Sequence, residues 1–216
     1  MTGVQTCALP ISLARRGSRL AANADCRISP DISFAKGGLV RALPDGLIYG
    51  EERLGLSLGE DLDFASYRTA ISGAAAAAEL LGLEREDTIR ALEGFGGFSG
   101  RMKIERLDGR TVFDSSNSGL KVNDIERALD KVRGPNLVAV VGEDAQTVCE
   151  GLDIPRLVEL LRRRRSEIED LVLVGERLRP LARELGAETA QDLGEGLEKA
   201  ESSRPKRLLS AVKCFR

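Results

Sequence analysis

The spacing of hydrophobic and polar positions predicts two differently organised parts of the chain. Residues Leu13 to Asp63 are rich in turn signals, "SPD", "GG", "PDG" and "GEE", and only "GLIYG" resembles a short strand. An alanine-rich helix is predicted from Ser66 to Leu83, where Gly82 suits a C-cap. A second helix is predicted over "EREDTIRALEGF", whose apolar residues have helical spacing.

Strands and helices alternate in the second part. The segment "MKIERLDGRTVFD" predicts a hairpin, because two alternating runs flank Asp108 and Gly109, a dipeptide that type I′ turns prefer. The apolar strands "NLVAVVG", "DLVLVG" and "KRLLSAV" then alternate with the predicted helices "VNDIERALDKV", "IPRLVELLRRRR", "ERLRPLARELG" and "GEGLEKAES". This alternation predicts an α/β fold with a mostly parallel sheet and right-handed crossovers, beginning at about Gly100.

Composition narrows the range of partners. The 216 residues include 32 basic and 34 acidic side chains, a net charge of -2, which argues against a nucleic-acid binder with a broad basic face. The longest apolar candidate, Gly73 to Leu83, stops short of membrane-spanning length, so no membrane partner is expected. With no histidine in the chain, imidazole bases and histidine metal ligands are excluded. The four cysteines lack metal-ligand spacing and predict reduced thiols in the cytoplasm.

The first twelve residues, "MTGVQTCALPIS", resemble translated sequencing-adapter read-through and lack the pattern of a signal peptide. Residues 1–12 are therefore excluded from the predicted fold, and we expect part of the natural protein to precede this chain.

Two further motifs have a simple structural interpretation. The segment "GFGGFSG", Gly94 to Gly100, follows a helix and precedes strand-like residues, so a hinge between domains is favoured over a dinucleotide loop. The basic run Arg162 to Arg165 could contact phosphate, but it is typical of the solvated end of a helix.

The loop "DSSNSG" is the strongest candidate site. Asp114 ends the second strand of the hairpin, and ligands of parallel α/β sheets bind beyond the carboxyl ends of strands. Small hydroxyls and glycine allow close approach of a ligand to the backbone, and the next helix offers free N–H groups. Helix capping by Asp114 and the serines explains the composition equally well. As a loop residue, Asp114 is expected to be replaceable without loss of folding.

From Tyr67 onward, the order of elements resembles the Mur ligase superfamily. The carrying motifs are "YRTAISGAAAAAELLGLEREDTIRALEGFGGFSGRMK", "VFDSSNSGLKVNDIERAL" and "RLLSAVKCFR". The resemblance implies that residues 13–98 are the end of a central P-loop-type ATPase domain and residues 99–216 a Rossmann-like C-terminal domain. It further implies an ATP-dependent ligase that activates a carboxylate as an acyl phosphate with ATP and Mg²⁺.

The resemblance also implies roles for individual residues. Arg101 would reach a nucleotide phosphate and Asp114 the ribose region, with Ser115 and Asn117 beside it in the ATP site. Ser210 matches a serine that touches the acceptor in some members.

Two departures from the family qualify these roles. Ser116 stands where common members carry histidine or lysine. The phosphate-binding glycine–lysine loop is absent, so this chain alone is not expected to hydrolyse ATP.

The variants "DSSNSGLKV" and "VKCFR" are similar to an archaeal branch of the superfamily that closes the last carbocycle of the nickel tetrapyrrole coenzyme of methanogenesis. The resemblance implies a small-molecule carboxylate substrate, whose peripheral carboxylates could pair with Lys121, Lys213 and Arg216. Two alternatives stay open, namely an amide ligase that joins an amino acid to a carboxylate, and a non-catalytic nucleotide-binding module. A P-loop upstream would favour a ligase.

Overall fold

The computed structural model describes residues 19–144 and 151–215, and the chain divides into two compact units, Met1–Gly96 and Gly97–Arg216. The predicted non-native segment 1–12 and Arg216 lie outside the described residues. No helix in the described ranges is long and apolar enough to cross a membrane.

The first unit contains a five-stranded sheet in the order β1-β2-β3-β4-β5. Its strands are β1 Ala21–Asn23, β2 Ile32–Phe34, β3 Val40–Leu43, β4 Gly46–Tyr49 and β5 Glu52–Gly55. The strand predicted over "GLIYG" is confirmed as β4, whereas the prediction that the rest of this region is loop-rich is wrong. Strands of three or four residues are too short to show a clear alternation, and the turn signals mark tight connections such as the one between Leu43 and Gly46.

Two helices follow the sheet in the chain. The first, α1 Phe64–Leu81, packs on the sheet, and the second, α2 Arg85–Glu93, packs against α1. Gly82 ends α1 in the left-handed conformation, φ 74°, as predicted. The alanine-rich face brings α1 close to the sheet, with Ala75 and Ala76 fully buried. The buried Ser72 hydroxyl accepts a hydrogen bond from the Ala42 N–H at 2.9 Å, which ties the helix to β3.

The second unit contains a six-stranded sheet in the order β10-β9-β8-β11-β7-β6. Its strands are β6 Lys103–Leu107, β7 Arg110–Asp114, β8 Leu137–Glu143, β9 Asp170–Val174, β10 Glu188–Ala190 and β11 Arg207–Lys213. All neighbours are parallel except the edge hairpin β6–β7, whose turn residues Asp108 and Gly109 both have positive φ. The predicted hairpin and parallel sheet are confirmed, whereas β10 was not predicted.

Helices cover both faces of this sheet. They are α3 Val122–Lys131, α4 Ile154–Arg164, α5 Ala182–Leu185 and α6 Leu193–Ser202. Buried residues of α3, α4 and α5 share one core with β8, β9 and β11, while α6 packs on the opposite face. The helix predicted over Glu176 to Gly186 is wrong, because a 3₁₀ turn at Arg179–Leu181, which contains Pro180, leaves only the short α5.

The basic run at the end of α4 is predicted to be solvated surface, but part of it is buried. Arg164 is buried and forms ion pairs with Asp130 at 2.8 Å and with Glu167. Its hydrogen bond holds the pKa of Asp130 below the ordinary value. Arg165 donates to the carbonyls of Leu185 and Gly186, so this half of the run ties α4 to neighbouring segments.

Two cysteines fall within the described residues. Cys214 is buried at the end of β11. Cys26 is disulfide-bonded, so the prediction of reduced thiols is wrong for that residue.

The topology of the second sheet brings three strand ends together. The chain reaches β8, β9 and β10 in turn and then returns through α6 to place β11 between β7 and β8. Ser210 is in register with Asp114, and Lys213 with Glu143. The carboxyl ends of β7, β11 and β8 thus lie side by side at a point where the strand order reverses, which is where α/β sheets bind ligands.

Candidate ligand site at the carboxyl end of the second sheet

Asp114 ends β7 as predicted, but its carboxylate is engaged by the protein. The side chain is 8% exposed. Oδ2 accepts hydrogen bonds from the Gly100 N–H at 2.7 Å and the Ser99 hydroxyl at 3.1 Å, and Oδ1 accepts from the Ser116 N–H at 3.2 Å. Asp114 therefore binds the segment before β6 to the loop after β7.

Asn117 strengthens the same junction from the loop side. Its Nδ2 donates to the Gly100 carbonyl at 2.7 Å and to the Ser115 carbonyl at 3.0 Å. Its Oδ1 accepts from the Gly119 N–H at 2.9 Å, which closes an Asx turn. Every polar atom of the Asn117 side chain thus shapes the loop.

Ser115, Ser116 and Ser210 are buried, and their hydrogen bonds join the loop to β11. Ser116 and Ser210 have hydroxyl oxygens 2.7 Å apart, and the Ser116 hydroxyl also accepts from the Val212 N–H at 2.9 Å. Ser115 donates its N–H to the Ser210 carbonyl at 2.8 Å. With exposed fractions of 0% for Ser116 and 1% for Ser210, these residues fasten the loop to β11. None of these hydrogen bonds tests the predicted contact of Ser210 with the acceptor substrate, which stays a prediction.

Two predicted cations lie at the surface of this loop. Arg101 is exposed, and its Nη1 lies 3.8 Å from the position that a Cβ on Gly119 would occupy. Lys121 is exposed at the start of α3, where its N–H donates to Asp124 Oδ2 at 2.9 Å. Within the described ranges, no carboxylate forms an ion pair with either side chain.

Lys213, the third predicted cation, is buried at the end of β11 with 7% of its surface exposed. Its Nζ donates to the Leu120 carbonyl at 3.2 Å. The opposing strand ends in Glu143, which is 2% exposed and accepts from the Leu152 N–H at 2.6 Å and from Arg177 at 2.7 Å. Sequence reasoning missed Glu143, although it follows an apolar strand just as Asp114 does.

The residues at this end of the sheet are better suited to binding an anionic ligand than to transferring a proton. Arg101, Lys121 and Lys213 bring positive charge to one loop, whereas Asp114 is saturated by hydrogen bonds. The described part of the chain contains no cluster of three or more metal-ligating side chains, so these residues do not by themselves form a magnesium site.

Because the Asp114 carboxylate accepts several hydrogen bonds, we no longer expect its replacement to leave folding unaffected. We predict that Asp114→Asn lowers the free energy of unfolding by about 1–2 kcal/mol, because the new amide would point N–H groups at existing donors. Urea denaturation monitored by circular dichroism measures this loss. Asp108→Asn, in the exposed hairpin turn, is the matched control and should leave stability unchanged. Equal stability of the Asp114 variant and the parent would contradict the structural role.

Solved structures define the class of fold. The UDP-N-acetylmuramate–alanine ligase of Thermotoga maritima superposes with a TM-score of 0.62 at 15% identity, covering 92% of this chain and 48% of that chain. FolC of E. coli in complex with ADP gives a TM-score of 0.58 at 18% identity, covering 83% and 44%. The chain therefore has the α/β fold of Mur ligases, including their C-terminal domain.

Sequence comparisons narrow the class to one family. Residues 104–214 match the family model described as coenzyme F430 synthetase CfbE, C-terminal domain, and the chain belongs to this family. It is 38% identical over 177 residues to coenzyme F(430) synthetase of Methanosarcina acetivorans, covering 77% of this chain and 37% of that protein. It is 33% identical over 131 residues to UDP-N-acetylmuramoylalanine–D-glutamate ligase of Geobacter metallireducens, covering 60% and 27%. The chain thus spans about a third of the length of these curated relatives.

Proposed function

We propose that the full-length protein is an ATP-dependent ligase that closes the final carbocyclic ring of coenzyme F430. Its substrate would be the nickel-containing seco-acid precursor, and its products would include ADP and phosphate. The observation that carries this proposal is the family match over residues 104–214, which contain the anion-suited end of the second sheet. We place the reaction in the cytoplasm, since it consumes ATP.

The chemistry requires activation of a carboxylate. A free carboxylate is a poor electrophile because attack would have to expel oxide. Transfer of the γ-phosphoryl group of ATP to a propionate side chain would give an acyl phosphate with a good leaving group. A ring-bridging carbon of the same molecule would then attack the carbonyl, expel phosphate and release its proton to solvent. Holding the two groups together makes this step effectively unimolecular.

We assign the described residues to binding rather than to proton transfer. Arg101 would contact a nucleotide phosphate, while Asp114, Ser115 and Asn117 would shape the loop against the nucleotide. Lys121 and Lys213 would pair with substrate carboxylates, with Ser210 supporting the loop from β11. Magnesium, when bound with ATP, would neutralise charge on the transferred phosphoryl group.

The test is to incubate the full-length protein with ATP, magnesium and the seco-acid, and to follow product mass. We expect the tetrapyrrole to lose the mass of one water, strictly dependent on ATP.

The likeness to a D-glutamate ligase favours a second candidate, an amide ligase. If the tetrapyrrole mass stays constant while added amino acids become amide-linked to a carboxylate, the amide ligase replaces our proposal. Nucleotide binding without any turnover would favour the non-catalytic module.

A further inference from the structure

We propose that Ser116 is a positioning residue, whose hydroxyl fixes the ATP-binding loop after β7 to the sheet. Ser116 is fully buried, so its side chain would act through the loop and would not touch the nucleotide. That the loop binds ATP rests on the proposed function, whereas the place of the hydroxyl in the sheet rests on its hydrogen bonds.

The need for this hydroxyl arises where β7 ends and β11 continues. The two parallel strands pair as far as Asp114, which is in register with Ser210. Beyond this point β11 runs on to Lys213 and pairs with β8 on its other side. Because alternate residues of a strand direct their N–H groups to opposite sides, the buried Val212 N–H points to the side that β7 has left. A buried N–H of this kind requires an acceptor.

The Ser116 hydroxyl supplies that acceptor in place of a main-chain carbonyl. One more step of regular parallel pairing would bring the Ser115 carbonyl to the Val212 N–H. Instead, the Ser115 carbonyl accepts from the Asn117 amide at 3.0 Å, and Ser116 Oγ accepts from the Val212 N–H at 2.9 Å. The side chain thus continues the β7–β11 ladder after the backbone has turned away into the loop.

Three further contacts hold Ser116 itself. Its Oγ lies 2.7 Å from the Ser210 hydroxyl oxygen, and its N–H donates to Asp114 Oδ1 at 3.2 Å. Its carbonyl oxygen packs so closely on Gly100 that an added Cβ there would lie 2.0 Å away. A displacement of Ser116 would therefore loosen both the loop and the segment that leads to Arg101.

Loss of the hydroxyl should weaken nucleotide binding without removing any group that touches the nucleotide. In Ser116→Ala the buried Val212 N–H has no acceptor, and only a shift of the loop that admits water would satisfy it. Such a shift would move Arg101 away from the nucleotide phosphate. An interaction lost equally from the ground state and the transition state raises KM and leaves kcat unchanged.

The first measurement is the affinity of the full-length protein for adenylyl imidodiphosphate, a non-hydrolysable ATP analogue, by isothermal titration calorimetry. We expect Ser116→Ala to bind it about five- to tenfold more weakly, in proportion to one lost hydrogen bond. In ring closure the KM for ATP should rise by the same factor, while kcat and the KM for the seco-acid change by less than about twofold. An unchanged affinity, or equal rises in both KM values, would overturn the proposal.

Two variants separate positioning from stability. Ser72→Ala removes another fully buried hydroxyl that accepts a backbone N–H at 2.9 Å, but it lies in the first unit and should keep the affinity of the parent. Ser116→Thr retains the hydroxyl and adds a methyl group to a fully buried site, so it should be less stable and still bind within about twofold of the parent. Binding by Ser116→Thr as weak as that by Ser116→Ala would assign the effect to packing and reject the positioning role.

Hydrogen exchange of this chain tests the bond directly and needs neither a nucleotide nor a folded threonine variant. The Val212 amide should exchange about tenfold faster in Ser116→Ala than in the parent. The Ala211 amide, which points toward β8, should change by less than about threefold. Equal exchange of the Val212 amide in the two proteins would refute the role of Ser116 in the ladder.

Failure of this inference is distinguishable from failure of the proposed function. Ring closure by the parent enzyme, with an unchanged nucleotide affinity in Ser116→Ala, would reject the positioning role and retain the activity. Conversely, weaker nucleotide binding by Ser116→Ala, together with a parent enzyme that closes no ring, would support the positioning role and reject the activity.

Discussion

Replacing Gly100 with alanine should lower the free energy of unfolding of the second unit by about 2–5 kcal/mol. Gly100 has φ 74°, a left-handed conformation that costs an alanine roughly 1–2 kcal/mol. Its added Cβ would also lie 2.0 Å from the Ser116 carbonyl oxygen, and relieving such a clash typically costs about 1–3 kcal/mol. The backbone must shift, which weakens the hydrogen bond from the Gly100 N–H to Asp114.

Differential scanning calorimetry should show the effect as a melting temperature lowered by roughly 10–25 °C. Gly119→Ala in the same loop is the matched control, because its nearest contact would be 3.4 Å and its φ is not positive. A Gly100→Ala protein as stable as this control would mean that the segment before β6 does not pack against the β7–α3 loop as described.

Removing the buried carboxylate of Glu143 should cost about 2–4 kcal/mol of stability. Glu143→Ala leaves the buried Leu152 N–H without its acceptor, a loss of roughly 1–3 kcal/mol, and breaks the pair with Arg177. It also removes the negative charge that lies opposite the buried Lys213 in the β8–β11 register. Half of the Arg177 side chain is exposed to water, so solvent screening reduces the stability that its ion pair with Glu143 contributes.

Chemical denaturation of Glu143→Ala and Glu143→Gln separates charge from hydrogen bonding. The glutamine can still accept from the Leu152 N–H, so its loss should be roughly half that of the alanine variant. Glu159→Ala, on the exposed face of α4, is the control and should change stability by less than about 0.5 kcal/mol. Equal stability of all three variants would show that the Glu143 interactions contribute nothing.

The second sheet could be predicted from the sequence because its strands are long and buried on both faces. The run "NLVAVVG" becomes β8, in which every residue is buried, and Asp108 and Gly109 specify the hairpin turn directly. The strands of the first unit are short and partly exposed, so their alternation is weak. Helical spacing around Pro180 predicts one helix, but the proline interrupts the helical backbone hydrogen bonds.

The position of the candidate site was predictable, but the bonding within it was not. The end of β7 follows from the general rule for parallel sheets, whereas the partners of Asp114 come from Ser99 and Gly100, which precede the hairpin. Likewise, a single basic run does not indicate that Arg164 is buried against Asp130, since ion pairs between distant segments depend on tertiary packing. The burial of Lys213 beside an engaged Glu143 depends on β11 returning between β7 and β8.

We propose that the full-length enzyme activates a substrate carboxylate as an acyl phosphate. The most direct measurement uses seco-acid labelled with ¹⁸O in its carboxylates, followed by mass spectrometry of the phosphate released from ATP. Phosphorylation of the carboxylate transfers one carboxylate oxygen to phosphate when the attacking carbon displaces the leaving group. We expect phosphate with one ¹⁸O for each ring closed, whereas unlabelled phosphate accompanying ring closure would exclude an acyl phosphate.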